Sequence, residues 1–402
     1  MRKLLTLLVL LWAPGAVFAQ SEAGGPPPNV RMRIGPLFIN PTLSLGNAGV
    51  DTNVFNVADT AHPDQDFTIT ISPATDLWMR LGRSWINGTI REDLVWFQKF
   101  ANQRAANNSY KLKWIAPLNR ITFTPAVSYA DTRSRPGYEI DARVQQFITD
   151  YSMVVEVRAL SKTFFGVRAD RNILNFAADA AFNGINLQDT LTQTNTTEAL
   201  TLRHQVTPLT NLTLEVAKLQ NRFPKDPNRD SDATTVTGNI RFDQLALIKG
   251  DATVGYENFT PLGPGIPGFA GATAAVDLSY VAFGTTKVSG TVNRSVQYSY
   301  DVIQPYYVQT GVAASVSQQL FGPLDVVVRG TTAQLAYRNQ AGAEILVGNR
   351  VDRVQGYGGG IGYHLGRDMR IGVNLDQQRR LSDVPGTDYS GLRYGVAVTY
   401  GQ

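Results

Sequence analysis

Asp51 and Asn53 are the first two side chains whose types and spacing could do chemistry in this sequence. They lie two residues apart in the stretch 44–56, SLGNAGVDTNVFN. Carboxylate and amide oxygens bind calcium, and an EF-hand-like loop begins with such a pair. That loop needs a third oxygen ligand and then a glycine, at positions where this sequence has Phe55 and Asn56. The spacing therefore excludes an EF-hand, and we predict no metal site.

Catalytic side chains are scarce in the rest of the sequence. The chain has no cysteine, which excludes disulfides, thiolate nucleophiles and thiolate-bound metals. Its three histidines are His62, His204 and His364, and we interpret them as imidazoles of loops or strand ends. One catalytic alternative stays open, in which His204 pairs with a serine on a neighbouring strand, as in a barrel phospholipase. We expect no catalytic residue, no cofactor and no enzymatic activity.

The N-terminus has the composition of a secretory signal peptide. Arg2 and Lys3 precede an apolar run too short to cross a bilayer, and Val-Phe-Ala follows at 17–19. We expect cleavage after Ala19, and then a flexible periplasmic lead over 20–36. Removal of Arg2 and Lys3 lowers the formal net charge from +4 to +2. This net charge is too small to indicate a nucleic-acid-binding surface, so we expect no nucleic-acid partner.

Apolar and polar residues alternate through most of the chain after residue 37. In 121–130, ITFTPAVSYA, every second residue from Ile121 to Tyr129 is apolar, and 369–376 and 392–400 have the same period. A period of two is that of a β-strand with one apolar face. After the signal peptide, no apolar run approaches the ~20 residues of a transmembrane helix. We predict one all-β domain without an internal boundary.

The length of these strands favours a membrane barrel over a soluble sandwich. Many of them run for about 10–15 residues, where soluble strands average ~5–6. Tight and long connections alternate, as in an up-and-down antiparallel transmembrane β-barrel with short periplasmic turns and long extracellular loops. We predict such a barrel over 37–402. Nine long loops and eight tight turns give 18 strands, with 16 as the alternative, if 66–83 is one strand with a bulge at Ser72-Pro73.

A barrel of about this size is wide enough for an aqueous lumen. Charged residues at inward positions of the strands are therefore candidates for lining a pore. These candidates are Asp150, Glu156, Arg158, Arg168, Asp170, Arg241, Arg370, Asp376 and Arg393. The charges of 150–158 and 168–170 should be neighbours across one ladder. They form either a satisfied network that stiffens the wall or an electrostatic filter. Because both signs are mixed, we expect no strong ion selectivity.

Asp51 and Asn53 acquire a geometric role in such a barrel. Leu43 and Leu45 would face lipid, and an unbroken alternation would place Asp51 on the same face. A charge near the membrane midplane costs a few kcal/mol. One extra residue within 46–49 would return Asp51 and Asn53 to the inside, because a slip of one residue exchanges the two faces of a strand. We predict a bulge or a strand end there, with both side chains organising the outer rim.

The stretch 36–56, PLFINPTLSLGNAGVDTNVFN, resembles the first strand and loop of the putative beta-barrel porin type 2 family. The matching positions are Gly49, Asp51, Asn53, Val54 and Phe55. The sequence departs from the family at positions 50 and 52, where it has valine and threonine in place of the usual tyrosine and serine. The following DFTITISP resembles the family's second strand. The resemblance implies an outer-membrane β-barrel, in some cases associated with exopolysaccharide export.

Residue pattern and resemblance lead to the same functional expectation. We expect an outer-membrane porin-like channel for passive diffusion of small hydrophilic solutes in a Gram-negative bacterium. The alternative is a non-conducting structural or accessory barrel of a secretion, polysaccharide or adhesion system. Expected partners are outer-membrane lipid, lipopolysaccharide and the barrel-insertion machinery. The resemblance adds polysaccharide export machinery to these partners.

Overall fold

The computed structural model describes residues 25–27, 30–343, 348 and 350–401. The expected signal peptide (1–19), with its cleavage site after Ala19, lies outside the described residues. Part of the expected lead (20–36) lies outside them as well. No described helix is long and apolar enough to cross a membrane.

Twenty-one β-strands and a few short helices make up the described chain. The strands are β1 (Met32–Ile34), β2 (Leu37–Asp51), β3 (Asp66–Leu81), β4 (Ser84–Phe97), β5 (Ala105–Leu118), β6 (Ile121–Ser134), β7 (Val144–Leu160), β8 (Thr163–Phe176), β9 (Ala181–Phe182), β10 (Ile185–Asn186), β11 (Gln193–Thr207), β12 (Thr210–Arg222), β13 (Ser231–Phe242), β14 (Ile248–Pro261), β15 (Phe269–Ala282), β16 (Thr286–Tyr298), β17 (Tyr306–Gln319), β18 (Leu324–Arg338), β19 (Val351–Leu365), β20 (Met369–Leu381) and β21 (Tyr389–Tyr400). The α-helix α1 is Leu187–Leu191, and the 3-10 turns are Asp59–Ala61, Ala101–Gln103 and Pro227–Arg229.

Eighteen of these strands, β2–β8 and β11–β21, form one closed antiparallel barrel. Each strand pairs with its sequence neighbours, β8 pairs with β11, and β21 pairs with β2 to close the sheet. β1 pairs with the first residues of β2, and β9 and β10 form a separate hairpin in the long loop after β8. We call the end of the barrel that carries the long loops the mouth. The predicted all-β barrel of 18 strands is confirmed.

The segment 66–81 is one continuous strand, as predicted. The prediction of a bulge at Ser72-Pro73 was wrong. Ser72 and Pro73 pair with β2 in unbroken register. Toward β4, the pairs Ile71–Leu94 and Ala74–Arg91 flank the proline without an extra residue on either strand. Proline has no N–H to donate, so Pro73 interrupts the ladder on one side and leaves the register unchanged.

The two faces of the barrel wall differ sharply in polarity. On β7 the outward Tyr151 and Met153 are 52% and 46% exposed, whereas the inward Ser152 and Glu156 are buried. The same contrast continues on β8, where Val167 is 55% exposed. An apolar outer surface and a polar inner surface are the arrangement that a barrel takes in a lipid bilayer.

The predicted bulge in β2 is confirmed. Against β21, Leu45 pairs with Val398 and Ala48 pairs with Val396, so β2 contains one residue more than its partner. The same extra residue separates Gly46 from Gly49 in the pairing with β3. Asn47 adopts a left-handed backbone with φ of 52°, and asparagine tolerates this conformation better than most residues. Beyond the bulge Asp51 lies on the inner side of the wall.

The seam between β2 and β21 predicts a sharp difference between two glycines of β2. A Cβ atom at Gly49 would overlap the backbone of Tyr394 and Gly395, whereas a Cβ atom at Gly46 would meet no atom within 4 Å. We expect Gly49→Ala to destabilise the barrel by about 1–3 kcal/mol, which is typical of overpacking. Gly46→Ala is the matched control and should be neutral.

Heat-modifiable electrophoretic mobility measures the temperature at which each folded barrel opens. The expected outcome is a lower opening temperature for Gly49→Ala alone. Equal opening temperatures for the two variants would contradict a close backbone contact at the seam.

Candidate functional site in the barrel lumen

All nine charged residues singled out in the sequence lie on the inner face of the barrel. Each is next in sequence to an outward apolar residue, as Asp376 is next to Leu375 and Arg393 is next to Tyr394. The nine are Asp150, Glu156, Arg158, Arg168, Asp170, Arg241, Arg370, Asp376 and Arg393. Because the inner face bounds the lumen, these nine side chains form a candidate functional site along it.

β7 and β8 are neighbours in the ladder, as expected, but the ion-pair partners of Glu156 and Arg168 lie two strands away. Arg203 of β11 makes a two-pronged contact with Glu156 of β7, at 2.8 and 3.1 Å. On β8 between them, Gly166 leaves room for the Glu156 side chain, and the Arg203 guanidinium lies over the Phe164 ring, 3.9 Å from its centre. Arg168 of β8 contacts Glu215 of β12 in the same way, at 2.6 and 3.1 Å, and also pairs with Asp170.

The same construction recurs on the opposite side of the barrel, over β19. Arg329 of β18 and Asp376 of β20 are joined at 2.5 and 2.6 Å across Gly358, which pairs with both of them in the ladder. Arg370 reaches Asp325 over the same strand, at 2.6 and 2.7 Å. The sequence signal for these pairs is the run of inward glycines in 356–362, GYGGGIG.

The remaining candidates have other partners. Asp150 accepts a hydrogen bond from Ser128 of β6 at 2.8 Å. The guanidinium group of Arg158 lies 5.4 Å from the centre of the Phe164 ring. Arg241 of β13 pairs in the ladder with Asp251 of β14. These three groups make a mixed-sign wall rather than a patch of one charge.

At the rim, Asp51 and Asn53 join the end of β2 and the first long loop to β21. Asp51 binds Arg393 at 2.7 Å and accepts a hydrogen bond from the Asn53 backbone N–H at 3.0 Å. The Asn53 amide donates to the carbonyls of Val57 and Ser390, and its oxygen accepts from the Val57 N–H. Only 1% of Asn53 is exposed. The pair is therefore a structural clamp at the barrel seam.

The other motif positions support this clamp. Gly49 allows close backbone contact with β21, as described above. Val54 is buried, and the Phe55 ring packs edge-on against Phe100 at 4.8 Å between centroids. Phe100 belongs to the β4–β5 loop, so the motif also fixes a neighbouring loop.

The β6–β7 loop crosses the mouth of the barrel. We call its residues 135–143 the crossing loop. Tyr138, in this loop, packs against a buried cluster on β17, β18 and β19. Those strands lie on the far side of the closed barrel from β6 and β7. The cluster consists of Tyr307, Ala333, Leu335, Tyr337 and Val354. The sequence of this loop carries no signal for a contact with strands so distant along the chain.

Glu139 anchors the crossing loop and is almost fully buried. Its carboxylate accepts hydrogen bonds from Ser299 Oγ at 2.6 Å and from the Tyr300 N–H at 3.1 Å. Within the described chain it makes no ion pair, although Arg350 and Arg380 attract it. Burial raises the pKa of Glu139 to about 7, and the Ser299 hydrogen bond only partly opposes that rise.

A chain of charges ties the crossing loop to the far wall. Arg380 binds Asp141 of the loop at 2.8 Å and Asp352 of β19 at 2.5 Å. Asp352 is fully buried and also binds Arg350 at 2.7 Å. Burial raises the pKa of Asp141, and Arg380 opposes that rise.

Other long loops fill one side of the mouth. Ile140 and Val144 pack with Phe176, Leu187 and Leu191 from the β8–β11 loop and its flanks. The Arg229 guanidinium of the β12–β13 loop donates hydrogen bonds to the carbonyls of Ser299 and Pro305. Apolar clusters and buried hydrogen bonds therefore pack the loops on this side of the crossing loop.

The histidines do not form a catalytic arrangement in the described part of the chain. The Nδ1 atom of His204 lies 3.0 Å from Thr163 Oγ1 at an exposed turn, and His364 Nε2 lies 2.7 Å from Asp325. No group of three histidine or acidic side chains among the described residues could hold a metal ion. The inner surface can attract, orient or exclude solutes by charge and size.

Comparisons with known proteins agree with this geometry. A family model described as putative beta-barrel porin 2 matches residues 27–402. No protein with a curated description matches the sequence.

Several solved structures resemble the barrel. A BenF-like porin from Pseudomonas fluorescens Pf-5 has a TM-score of 0.48 and 10% identity, over 90% of this chain and 98% of that chain. Pseudomonas aeruginosa OpdK with vanillate has a TM-score of 0.46 and 10% identity, with the same two coverages. The ferric citrate transporter FecA has a TM-score of 0.44 and 10% identity, over 89% of this chain. The chain spans only 63% of FecA and 62% of the FrpB iron transporter from Neisseria meningitidis.

The contact between Arg203 and Glu156 predicts strong destabilisation when one partner is removed. Arg203→Ala would leave a buried carboxylate without a counter-charge, at a cost of about 3–5 kcal/mol. Replacing both residues, as Arg203→Met with Glu156→Leu, should cost less than the single change. The measurement is urea unfolding of the barrel in lipid vesicles.

The Arg222–Asp232 pair is the matched control, because both of its side chains are 37% exposed. Arg222→Ala should change stability by at most about 1 kcal/mol. An equal loss for Arg222→Ala and Arg203→Ala would show that the inner pair has no special role.

Glu139 predicts that docking of the crossing loop depends on pH. Its carboxyl has a pKa of about 7 when docked, against 4.5 for the free group. Docking is therefore most stable below pH ~4.5 and is weakened, by about 3 kcal/mol, as the pH rises through ~7. Hydrogen exchange of 135–143 should be slower at pH 5 than at pH 8.

Glu139→Gln is the control for this effect, because it keeps the hydrogen-bonding shape and removes the titration. Its exchange in 135–143 should vary little with pH once the intrinsic rate is corrected. Slower exchange at pH 8 than at pH 5 in the unmodified protein would contradict the prediction.

Proposed function

The chain belongs to the putative beta-barrel porin 2 family, and from that premise we propose that it is an outer-membrane channel for passive diffusion of small hydrophilic solutes. The family and the fold support a porin-like barrel with a channel-type role. Passive diffusion of small hydrophilic solutes is our proposal.

The observation that carries the proposal is the charged inner wall of a closed barrel of 18 strands. A barrel of about 16–18 strands encloses more space than its own side chains can fill. Arg203–Glu156 and Arg329–Asp376 lie flat along the wall instead of crossing it. Such a wall supports a water-filled passage along most of the barrel.

The crossing loop sets the narrowest level of this passage. Tyr138 and Glu139 are held by contacts on the opposite side of the mouth, so the loop divides the opening. We propose that only small solutes pass beside the docked loop. Below the crossing loop the wall carries charges of both signs, so we expect no strong ion selectivity in that part of the lumen.

A second candidate is a non-conducting structural or accessory barrel of a secretion, polysaccharide or adhesion system. It is favoured by the apolar cluster in which Ile140 and Leu187 pack loops together at the mouth. In this alternative the loops close the lumen and offer a surface to partners. Polysaccharide export machinery would be one such partner, as the family resemblance implies.

We further propose an outer-membrane location, in contact with lipid and lipopolysaccharide on the exposed apolar face. Export through a signal peptide cleaved after Ala19 and assembly by the barrel-insertion machinery belong to the same proposal. The proposal assigns the protein no enzymatic role, because His204 has a threonine and no serine or acid as its hydrogen-bond partner in the described chain.

The crossing loop predicts a larger conductance when it is replaced. Exchange of 136–142 for glycine and serine residues removes the Tyr138 and Glu139 anchors and keeps the length of the connection. Single-channel conductance in planar bilayers should then rise severalfold above that of the unmodified protein.

Exchange of Ala101–Gln103 for glycine and serine residues is the control, because this exposed turn belongs to another long loop. Its conductance should equal that of the unmodified protein. If all three proteins fold and none conducts, the accessory barrel becomes the better description.

A further inference from the structure

Two arginines follow the last ladder pair at the base of the crossing loop, one on each strand. Ser134 and Val144 form the last pair of the β6–β7 ladder, so Arg135 and Arg143 are the next residues on its two strands. Like charges at directly opposite positions repel each other. Such an arrangement persists when the surrounding structure or a ligand compensates for the repulsion.

Arg143 is partly buried and makes few contacts for a charged group in such a position. Its guanidinium donates one long hydrogen bond, of 3.3 Å, to the carbonyl of Arg133. It lies 5.0 Å from the centre of the Phe97 ring, on the inner side of β4. Its Nε atom is buried without a partner, and Arg143 makes no ion pair within the described chain. Burial and then Arg135 lower its pKa to about 10, so it stays protonated at neutral pH.

Arg135 is held by backbone carbonyls rather than by a carboxylate. Its Nε donates to the carbonyl of Asp141 at 2.6 Å and its Nη2 to that of Val54 at 2.7 Å. Its side chain therefore points from β6 across the mouth toward the end of β2. Burial, and then the Arg393 charge, lower its pKa.

Arg393 completes a group of three cations in this sector. It lies on the inner face of β21, bound to Asp51 at 2.7 Å. Both Arg135 and Arg143 are within electrostatic reach of it. We call these residues, Arg135, Arg143 and Arg393, the arginine sector.

The carboxylates that attract Arg135 and Arg143, Asp51 and Asp141, are each bound to another arginine. Asp51 is bound to Arg393, and Asp141 and Asp352 are bound to Arg380. Asp352 also binds Arg350. Glu139 is held by Ser299 and Tyr300 instead of a cation. Arg135 and Arg143 are therefore left without a carboxylate of their own among the described residues.

We propose that the arginine sector is a binding site for an oxyanion of the passing solute, a carboxylate or a phosphate group. Guanidinium groups bind both groups in a two-pronged, charge-assisted manner. An anion between Arg135 and Arg143 would relieve their repulsion. The proposal rests on the proposed channel function and names its substrate class, small acidic solutes such as sugar acids or sugar phosphates.

Calorimetric titration of the full-length protein in detergent tests the site without requiring conduction. The probes are galacturonate, galactose 1-phosphate and galactose, which share a hexose ring and differ in charge. We expect one or both anionic probes to bind at least about tenfold more tightly than galactose. The comparison of the two anions shows whether a carboxylate or a phosphate is preferred.

The double variant Arg135→Gln/Arg143→Gln should lose the preference for anions. Arg143→Lys keeps the charge without the planar fork and should retain part of it. Arg353→Gln is the matched control, because Arg353 is an exposed outward cation on β19 and its removal should change nothing. Heat-modifiable mobility verifies that each variant is folded.

Equal binding of the three probes, or an anion preference that survives in the folded double variant, would overturn the site. Planar-bilayer recordings separate this outcome from failure of the channel proposal. A protein that conducts without preferring anions in the titration keeps the function and loses the site. A protein that binds anions but never conducts keeps the site and loses the function.

Discussion

Backbone N–H and C=O groups inside a hydrocarbon layer have no water to bond with, and this constraint shapes the whole molecule. A sheet satisfies it only by closing, which here depends on the pairing of β21 with β2. Closure creates an outer face for lipid and an inner face for polar groups, hence the alternation along every long strand. The bulge at 46–49 keeps this separation of the two faces. It turns Asp51 inward, where Arg393 can neutralise it, without opening the seam.

Charges on the inner wall obey a related rule, because a charge removed from bulk water needs a nearby counter-charge. Residues two strands apart are separated by about 10 Å across the sheet. The side chains of an arginine and a carboxylate can together span this distance. This contact is easiest where the strand between them carries a small residue. Gly166 and Gly358 fulfil that condition. The glycines of β19 are therefore part of the electrostatics of the wall, and their cost in strand propensity is offset by two-pronged ion pairs.

Local patterns made the wall predictable from sequence. The count of loops and turns predicted the strand number, and alternation predicted the inward position of residues such as Arg168 and Asp376. The bulge was predicted because an unbroken alternation would have placed Asp51 on the outer face. The partners of those charges were not predictable, because a contact over a third strand depends on register and on the residue between. The contacts of the crossing loop with the far wall were not predictable for a similar reason. Nothing in the sequence near Tyr138 or Glu139 indicates contacts more than 150 residues away.

The reach of the crossing loop constrains the shape of the mouth. A circular barrel of 18 strands spaced ~4.8 Å apart and tilted by ~40° has a backbone diameter of about 36 Å. Half of the loop, four or five residues, extends at most about 15 Å from β6 and β7. Tyr138 nevertheless packs against Tyr307 and Tyr337, so the opposite walls must approach each other at the mouth. Apolar clusters fill one side of the loop, and in the proposed channel a solute would pass along the other side, beside Arg135 and Arg143.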